Sequence, residues 1–202
     1  MRPLKILRLV LPFILSLSLS HVCVQARDTP PLTRPLPSRD GLINRAYLDA
    51  AAVLSEENEC SRFFGGPYAA TTVLKRLAGQ LRVTKLAPGV GIRMYGRVTD
   101  FEDPSHGFRY RLFEKAVVNV AGPFSSRQDL AGDQPVRNVG SFPPDTREAR
   151  VLMLLHEIGH LLTGPDRDWL LPNDGGDSEQ SEKNTRFVES KCGERIRALR
   201  NR

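Results

Sequence analysis

The segment that most constrains this chain is a strongly apolar stretch, residues 150–163, which contains the pattern His-Glu-Ile-Gly-His at positions 156–160. On an α-helix, residues four apart lie on one face, so His156 and His160 can direct two imidazoles at one point. Glu157 would lie beside a metal held there rather than on it. The pattern therefore predicts a metal-binding helix with a carboxylate placed to take a proton from a metal-bound water.

The sequence around this pattern favours a buried helix. Asp145 or Thr146 can cap its N-terminus, and Gly164 with Pro165 ends it. Nearly every face between them is apolar, which is typical of a core helix. Unpaired histidine and glutamate side chains would be costly there, and a metal ion removes that cost. The chain has four histidines and two of them fall in this pattern, which favours a metal site over a chance match.

A third ligand must come from elsewhere, because a catalytic zinc takes three protein ligands and leaves a fourth position open. Three carboxylates after the helix are candidates. Asp174 is favoured because it lies in a turn-forming segment, residues 172–176, that can direct its side chain back toward the helix. Asp166, shortly after His160, and Glu179, at the start of a further helix, remain alternatives.

The chain begins with a segment typical of exported proteins. Basic residues precede an apolar run over 9–19, and Val24 and Ala26 occupy the two positions that a signal peptidase reads, so residues 1–26 are predicted to be a cleaved signal peptide. Residues 27–45 are a proline-rich linker and residues 46–202 a single domain. We therefore expect a periplasmic or secreted protein with no stable membrane span after cleavage.

Cysteine content and charge narrow the function further. Cys23 would leave with the signal peptide, and Cys60 and Cys192 would then form a disulfide in an oxidising compartment. The formal net charge is +6, and three of the basic residues lie within 1–26. The remaining excess is too small to indicate a nucleic-acid partner.

The remaining periodicity predicts an α+β fold, with a small antiparallel sheet packed on the buried motif helix and a C-terminal helix. Beside the motif helix, the predicted elements are helices over 47–59, 69–81 and 178–200 and strands over 89–98, 108–113 and 115–121.

This order of strands, a buried His156–His160 helix, a carboxylate-rich loop and a final helix resembles the zincin metallopeptidases over residues 90–202. The metzincin subclass has glycine where this chain has Thr163. The resemblance therefore does not assign the chain to one clan within the zincins. The resemblance implies an exported zinc-dependent metallopeptidase with Zn²⁺ as cofactor. Glu157 would activate a zinc-bound water that hydrolyses a peptide bond of a peptide or protein substrate.

The same resemblance implies how substrate would be held. A strand along the cleft, 115–121 or the one before it, would pair with an extended peptide. His106 and Tyr110 are candidates to stabilise the oxyanion. The alternative is a non-catalytic zinc-binding or envelope-associated protein of similar fold.

Overall fold

The structure is a computed structural model that describes residues 40–87, 89–128 and 135–201. Within these residues the chain forms five α-helices, three strands and a final 3-10 turn. Their bounds are α1 Gly41–Leu54, α2 Glu59–Phe63, α3 Pro67–Gln80, β1 Leu81–Thr84, β2 Ile92–Asp103, β3 Phe108–Asn119, α4 Arg147–Leu161, α5 Ser178–Arg197 and the turn Ala198–Asn201. These helices and strands confirm the predicted α+β class. In this part of the chain, no helix is both long and apolar enough to cross a membrane.

The first helix begins within the segment predicted to be a linker. Helix α1 begins at Gly41, inside the predicted linker 27–45, because the Asp40 side chain accepts hydrogen bonds from the backbone N–H groups of Leu42 and Ile43. The predicted signal peptide and the rest of that linker lie outside the described residues. The helix predicted over 47–59 corresponds to the end of α1 and the start of α2, whereas the other predicted helices match α3, α4 and α5 within a few residues.

The sheet is mixed rather than antiparallel, which corrects the prediction. Its strand order is β1-β3-β2, with β1 parallel and β2 antiparallel to the central strand β3. The segments predicted as separate strands, 108–113 and 115–121, form the single strand β3, which pairs with β2 along most of its length. Residues 116–119 are uniformly buried, and β3 has a neighbouring strand on each side there. Leu81–Thr84, where helix α3 was predicted to end, instead forms β1.

Helix α4 is the centre of the core and contacts α1, α3 and α5. Its apolar residues are almost all fully buried, as the all-round apolar pattern predicted; they include Val151, Leu152, Leu154, Leu155, Ile158 and Leu161. Thr146 is the N-cap and accepts a hydrogen bond from the backbone of Ala149, while Asp145 pairs with Arg150 instead. The helix ends at Leu161, before the predicted Gly164.

Two long-range links fix the elements around α4. Cys60 and Cys192 form the predicted disulfide, which joins α2 to α5. Arg147 at the start of α4 binds both carboxylate oxygens of Asp49 on α1, at 2.7 and 2.6 Å, and donates to the carbonyl of Leu199. These links hold α5 in place beside α4, and the two helices together build the site described next.

Candidate metal site

Three potential metal ligands meet at one point beside α4. The Nε2 atoms of His156 and His160 are 3.1 Å apart. His156 Nε2 is 3.1 Å from Oδ2 of Asp174, and His160 Nε2 is 3.4 Å from Oδ1 of the same carboxylate. Ligands bound tetrahedrally at zinc distances are separated by about 3.3 Å. The group of His156, His160 and Asp174 could therefore hold a metal ion.

The loop after α4 reaches this point because Gly159 lets it lie against the helix. Leu171 donates its backbone N–H to the carbonyl of Gly159 at 3.0 Å. A Cβ atom at position 159 would lie 2.4 Å from Cδ1 of Leu171, closer than two carbon atoms can approach. The glycine inside the motif therefore permits the close approach of the segment that carries Asp174.

A tight turn then directs Asp174 toward the histidines. The Asn173 side chain accepts a hydrogen bond from the backbone of Gly175, which forms an Asx turn. Gly175 and Gly176 have φ values of 58° and 84°, which glycine adopts without strain. The backbone of Asp177 closes the turn by donating to the carbonyl of Asp174 at 2.7 Å. The turn chemistry that favoured Asp174 in the sequence is thus present in the structure.

Thr185 on α5 determines which nitrogen of His156 carries the proton. The Thr185 hydroxyl is 3.0 Å from Nδ1 of His156 and donates its single proton to the carbonyl of Ser181 at 2.9 Å. Nδ1 of His156 must therefore be the donor in this pair, which leaves a lone pair on Nε2. That lone pair faces a carboxylate oxygen of Asp174 at 3.1 Å, an arrangement that a shared cation stabilises.

Asn184, the neighbour of Thr185, orients the carboxylate. It is buried, with 3% of its surface exposed, and its side-chain amide donates to Oδ1 of Asp174 at 2.5 Å and to the carbonyl of Pro172 at 2.9 Å. The Gln180 side chain donates to the side-chain oxygen Oδ1 of Asn184 at 3.0 Å. The sequence analysis missed this residue. Its signal is that Asn184 extends the buried stripe of α5 by one turn before Val188, so a polar side chain lies on a core-facing stripe.

The electrostatics favour the forms of these residues that bind metal. Burial lowers the pKa of His156, although the adjacent Asp174 carboxylate, which favours a protonated imidazole, opposes the change. Burial alone would raise the pKa of Asp174, but the imidazoles of His156 and His160 next to its carboxylate hold that pKa well below its usual range. At neutral pH His156 is neutral and Asp174 is a carboxylate, as metal ligation requires. Nδ1 of His160 is the one buried side-chain nitrogen or oxygen without a hydrogen-bond partner in the described segments.

Glu157 lies on α4 next to His156 and outside the ligand group. Burial and the nearby charge of Asp174 raise its pKa to about 8. A divalent cation between the ligands would offset the charge of Asp174 and lower the pKa of Glu157. The protonation of Glu157 is therefore coupled to occupancy of the site.

The structure separates Asp174 from the alternative third ligands. Asp166 is exposed in the loop after α4. Glu179 is exposed on the first turn of α5 and pairs with Lys183 at 2.7 Å. Among the described residues, neither joins the group formed by His156, His160 and Asp174.

The two predicted oxyanion donors have contacts in the β2–β3 hairpin. His106 binds Asp103, with 3.0 Å between Nδ1 and Oδ1, and stacks on Tyr68. Tyr110 is buried and stacks on Phe101. Both side chains are therefore part of an aromatic cluster around the hairpin. Their contacts give no support to a role in stabilising an oxyanion.

The strand predicted to bind substrate lies at the centre of the sheet. Residues 116–119 of β3 pair with β1 on one side and β2 on the other. Further along β3, the N–H of Thr163 donates to the carbonyl of Arg109, and Tyr110 forms a β-bridge with Leu162. Residues 116–119 therefore offer no free edge to a peptide, because the sequence did not show that β3 is central, and substrate pairing along the rest of β3 stays a prediction.

Arg111 on β3 is a second residue that the sequence analysis missed. Its Nε donates to the carbonyl of His160 at 2.8 Å, and its guanidinium lies 4.0 Å from the ring centroid of Trp169. Burial lowers the pKa of Arg111 while the charge of Asp100 opposes this, and an arginine stays charged at neutral pH. The alternating pattern of the strand places Arg109 and Arg111 on one face, but only the fold brings Arg111 to the end of α4.

Replacing Thr185 with valine tests whether this hydroxyl orients His156. Valine keeps the shape but cannot accept the Nδ1 proton, so we expect the affinity for a divalent metal ion such as Zn²⁺ to fall about 10- to 100-fold. Competition with a chromophoric chelator measures this affinity. Thr99→Val, at an exposed position on β2, is the control. Equal affinities in the two variants would remove Thr185 from the support of the site.

Comparisons with models of known protein families, with curated proteins and with solved structures found no match to this chain. The functional interpretation therefore depends on the residues and geometry described above.

Proposed function

We propose that this protein is a zinc-dependent hydrolase of peptide bonds, with His156, His160 and Asp174 as zinc ligands and Glu157 as general base. One observation carries the proposal. The lone pair of His156 Nε2, fixed by Thr185, faces His160 Nε2 and an Asp174 oxygen at ligand-to-ligand distances, on the same helix that carries Glu157. Two imidazoles and a carboxylate are a donor set that suits zinc.

The residues of the chain have distinct roles in this proposal. Zinc, when bound, supplies Lewis acidity that lowers the pKa of water to about 7 and polarises a carbonyl group. Glu157 accepts the proton of the attacking water and passes it to the departing amine. Asn184 and Thr185 hold the ligands in the orientation that binds the ion.

The number of ligands favours a catalytic over a purely structural zinc site. Structural sites usually have four protein ligands, whereas catalytic sites have three and an open position. Within the described residues, the group contains two histidines and one aspartate and no fourth histidine, cysteine or acidic side chain. This supports the proposal over the alternative of a non-catalytic zinc-binding protein.

The zincin likeness and export belong to the same proposal. The buried helix α4, the carboxylate turn and α5 follow each other in the order that the zincin resemblance implies. The disulfide between Cys60 and Cys192 is typical of oxidising compartments and supports a periplasmic or secreted location. The substrate would be a peptide or protein, and the modest net charge favours no nucleic-acid partner.

The first test is the metal content of the purified protein. We expect about one zinc per chain, lost in Asp174→Asn and in the double variant His156→Ala/His160→Ala, because each removes ligands from a three-ligand site. Asp166→Asn and Glu179→Gln are matched controls and should keep the metal. Elemental analysis measures the zinc content of each protein, and circular dichroism confirms that each variant is folded. A folded wild-type protein that takes up no zinc would contradict the proposal.

Hydrolysis is tested with a library of fluorogenic peptides. A chelator should abolish cleavage and added zinc should restore it. A protein that binds zinc through these residues and cleaves no peptide would instead favour the non-catalytic alternative.

A further inference from the structure

We propose that Arg111 and Trp169 form a carboxylate-binding site beside the metal ligands, so that the preferred substrates are peptides with a carboxylate close to the cleaved bond. This inference rests on the proposed function and adds the substrate class.

Arg111 is a partly buried cation that feels the charge of Asp100 but forms no direct ion pair with an acidic side chain in the described part of the chain. Asp100 is its direct neighbour across the sheet, in register on β2. The Asp100 carboxylate nevertheless pairs with Arg109, at 2.5 Å from its terminal nitrogen. Arg109 is thereby neutralised, and the positive charge of Arg111 is left for another anion.

The Arg111 side chain is held rigidly in a form suited to carboxylate. Its Nε donates to the carbonyl of His160, and its guanidinium stacks on Trp169. Trp169 is in turn fixed by a β-bridge with Thr163. The two terminal nitrogens of Arg111 have no acceptor among the described residues. A guanidinium whose terminal nitrogens have no other acceptor can bind a carboxylate through two parallel hydrogen bonds.

A capping role for Arg111 accounts for only part of this arrangement. The Nε bond satisfies a carbonyl in the last turn of α4, as basic side chains often do. It does not use the terminal nitrogens and does not require the indole. A preformed, stacked fork is the arrangement in which arginine recognises anions with defined geometry.

His160 links this site to the proposed zinc ligands. Its ring nitrogen faces His156 and Asp174, while its backbone carbonyl binds Arg111. A peptide whose reacting carbonyl meets the zinc would therefore place neighbouring groups near Arg111. The carboxylate could be the C-terminus of the peptide or an acidic side chain, and both present the same chemistry.

The test uses Trp169, the one tryptophan in the chain, as an intrinsic fluorescent reporter. Three probes are titrated into zinc-treated Glu157→Gln protein, in which turnover is suppressed. They are N-acetylated tetra-alanine with a free C-terminus, its C-terminal amide, and an amidated version with glutamate as the third residue. We expect a saturable change in Trp169 emission with at least one of the two carboxylate probes and a much weaker response to the neutral amide.

Arg111→Gln in the same background should weaken carboxylate binding roughly 10- to 100-fold, the range for a hydrogen bond to a charged group. Arg93→Gln, at an exposed position on β2, is the matched control and should bind like the parent protein. Arg111→Lys keeps the charge without the fork, and we expect intermediate affinity. It also serves as the second variant if Arg111→Gln does not fold.

The outcomes distinguish a C-terminal from a side-chain carboxylate, and they distinguish failure of the carboxylate site from failure of the proposed hydrolase function. A preference for the free C-terminus assigns the peptide end, and a preference for the glutamate probe assigns an acidic side chain. Equal binding of all three probes, or no response to any of them, would overturn the inference. Failure of the proposed function would appear separately, as missing zinc or missing hydrolysis while Trp169 still discriminates between carboxylate and amide.

Discussion

Replacing Glu157 with glutamine is expected to lower kcat/KM for peptide hydrolysis about 10²- to 10⁴-fold, the range for the loss of one general acid–base group. Glutamine has the same shape but cannot accept a proton. Because Glu157 is outside the ligand group, zinc content should stay at about one per chain. Steady-state kinetics on a cleaved fluorogenic peptide, together with elemental analysis, measures both quantities.

Glu179→Gln is the control for this variant, because it makes the same chemical change at an exposed position on α5. Its kinetics should match those of the wild type. Full activity of Glu157→Gln would exclude Glu157 as the base. Loss of zinc along with activity would show instead that Glu157 supports the metal.

Removing the disulfide is expected to give the largest loss of stability. Cys60 and Cys192 are 132 residues apart, and a loop of this length corresponds to about 5 kcal/mol in the chain-entropy model. Both cysteines are fully buried, so the double variant Cys60→Ala/Cys192→Ala avoids burying polar groups. The free energy of unfolding from urea denaturation measures the loss.

Denaturation of the wild type in the presence of a reductant is the matched comparison and should approach the stability of the double variant. A loss below about 1 kcal/mol in both would mean that the unfolded chain is little constrained by the bond. Since α5 carries both Cys192 and the residues that orient the ligands, Asn184 and Thr185, zinc affinity measured on the folded double variant should also decrease.

Helix α4 was predictable because its determinants are local. The apolar residues, the Thr146 cap and the four-residue spacing of His156 and His160 lie within one short segment. The same is true of the turn around Asp174, where Asn173 and two glycines specify the geometry. The pairing of Cys60 and Cys192 was predicted for a different reason, since only these two cysteines remain if the predicted signal peptide is removed.

The sheet was predicted less well because strand pairing is not local. Alternation showed that 108–113 is extended, but it could not show that the strand continues to Asn119 or that Leu81–Thr84 would pair beside it. The predicted strand 115–121 looked distinct because its residues are uniformly apolar, and that change reflects burial on both faces at the centre of the sheet.

The residues around the metal ligands divide in the same way. The sequence by itself singled out His156, His160 and the favoured Asp174 as candidate ligands and Glu157 as a candidate base, because helix period and turn chemistry act over a few residues. Only the tertiary structure decided that Asn184 and Thr185 orient these ligands and that Arg111 reaches His160. Those contacts depend on how α5 and β3 pack against α4, and packing between distant segments leaves little trace in the local pattern of either one.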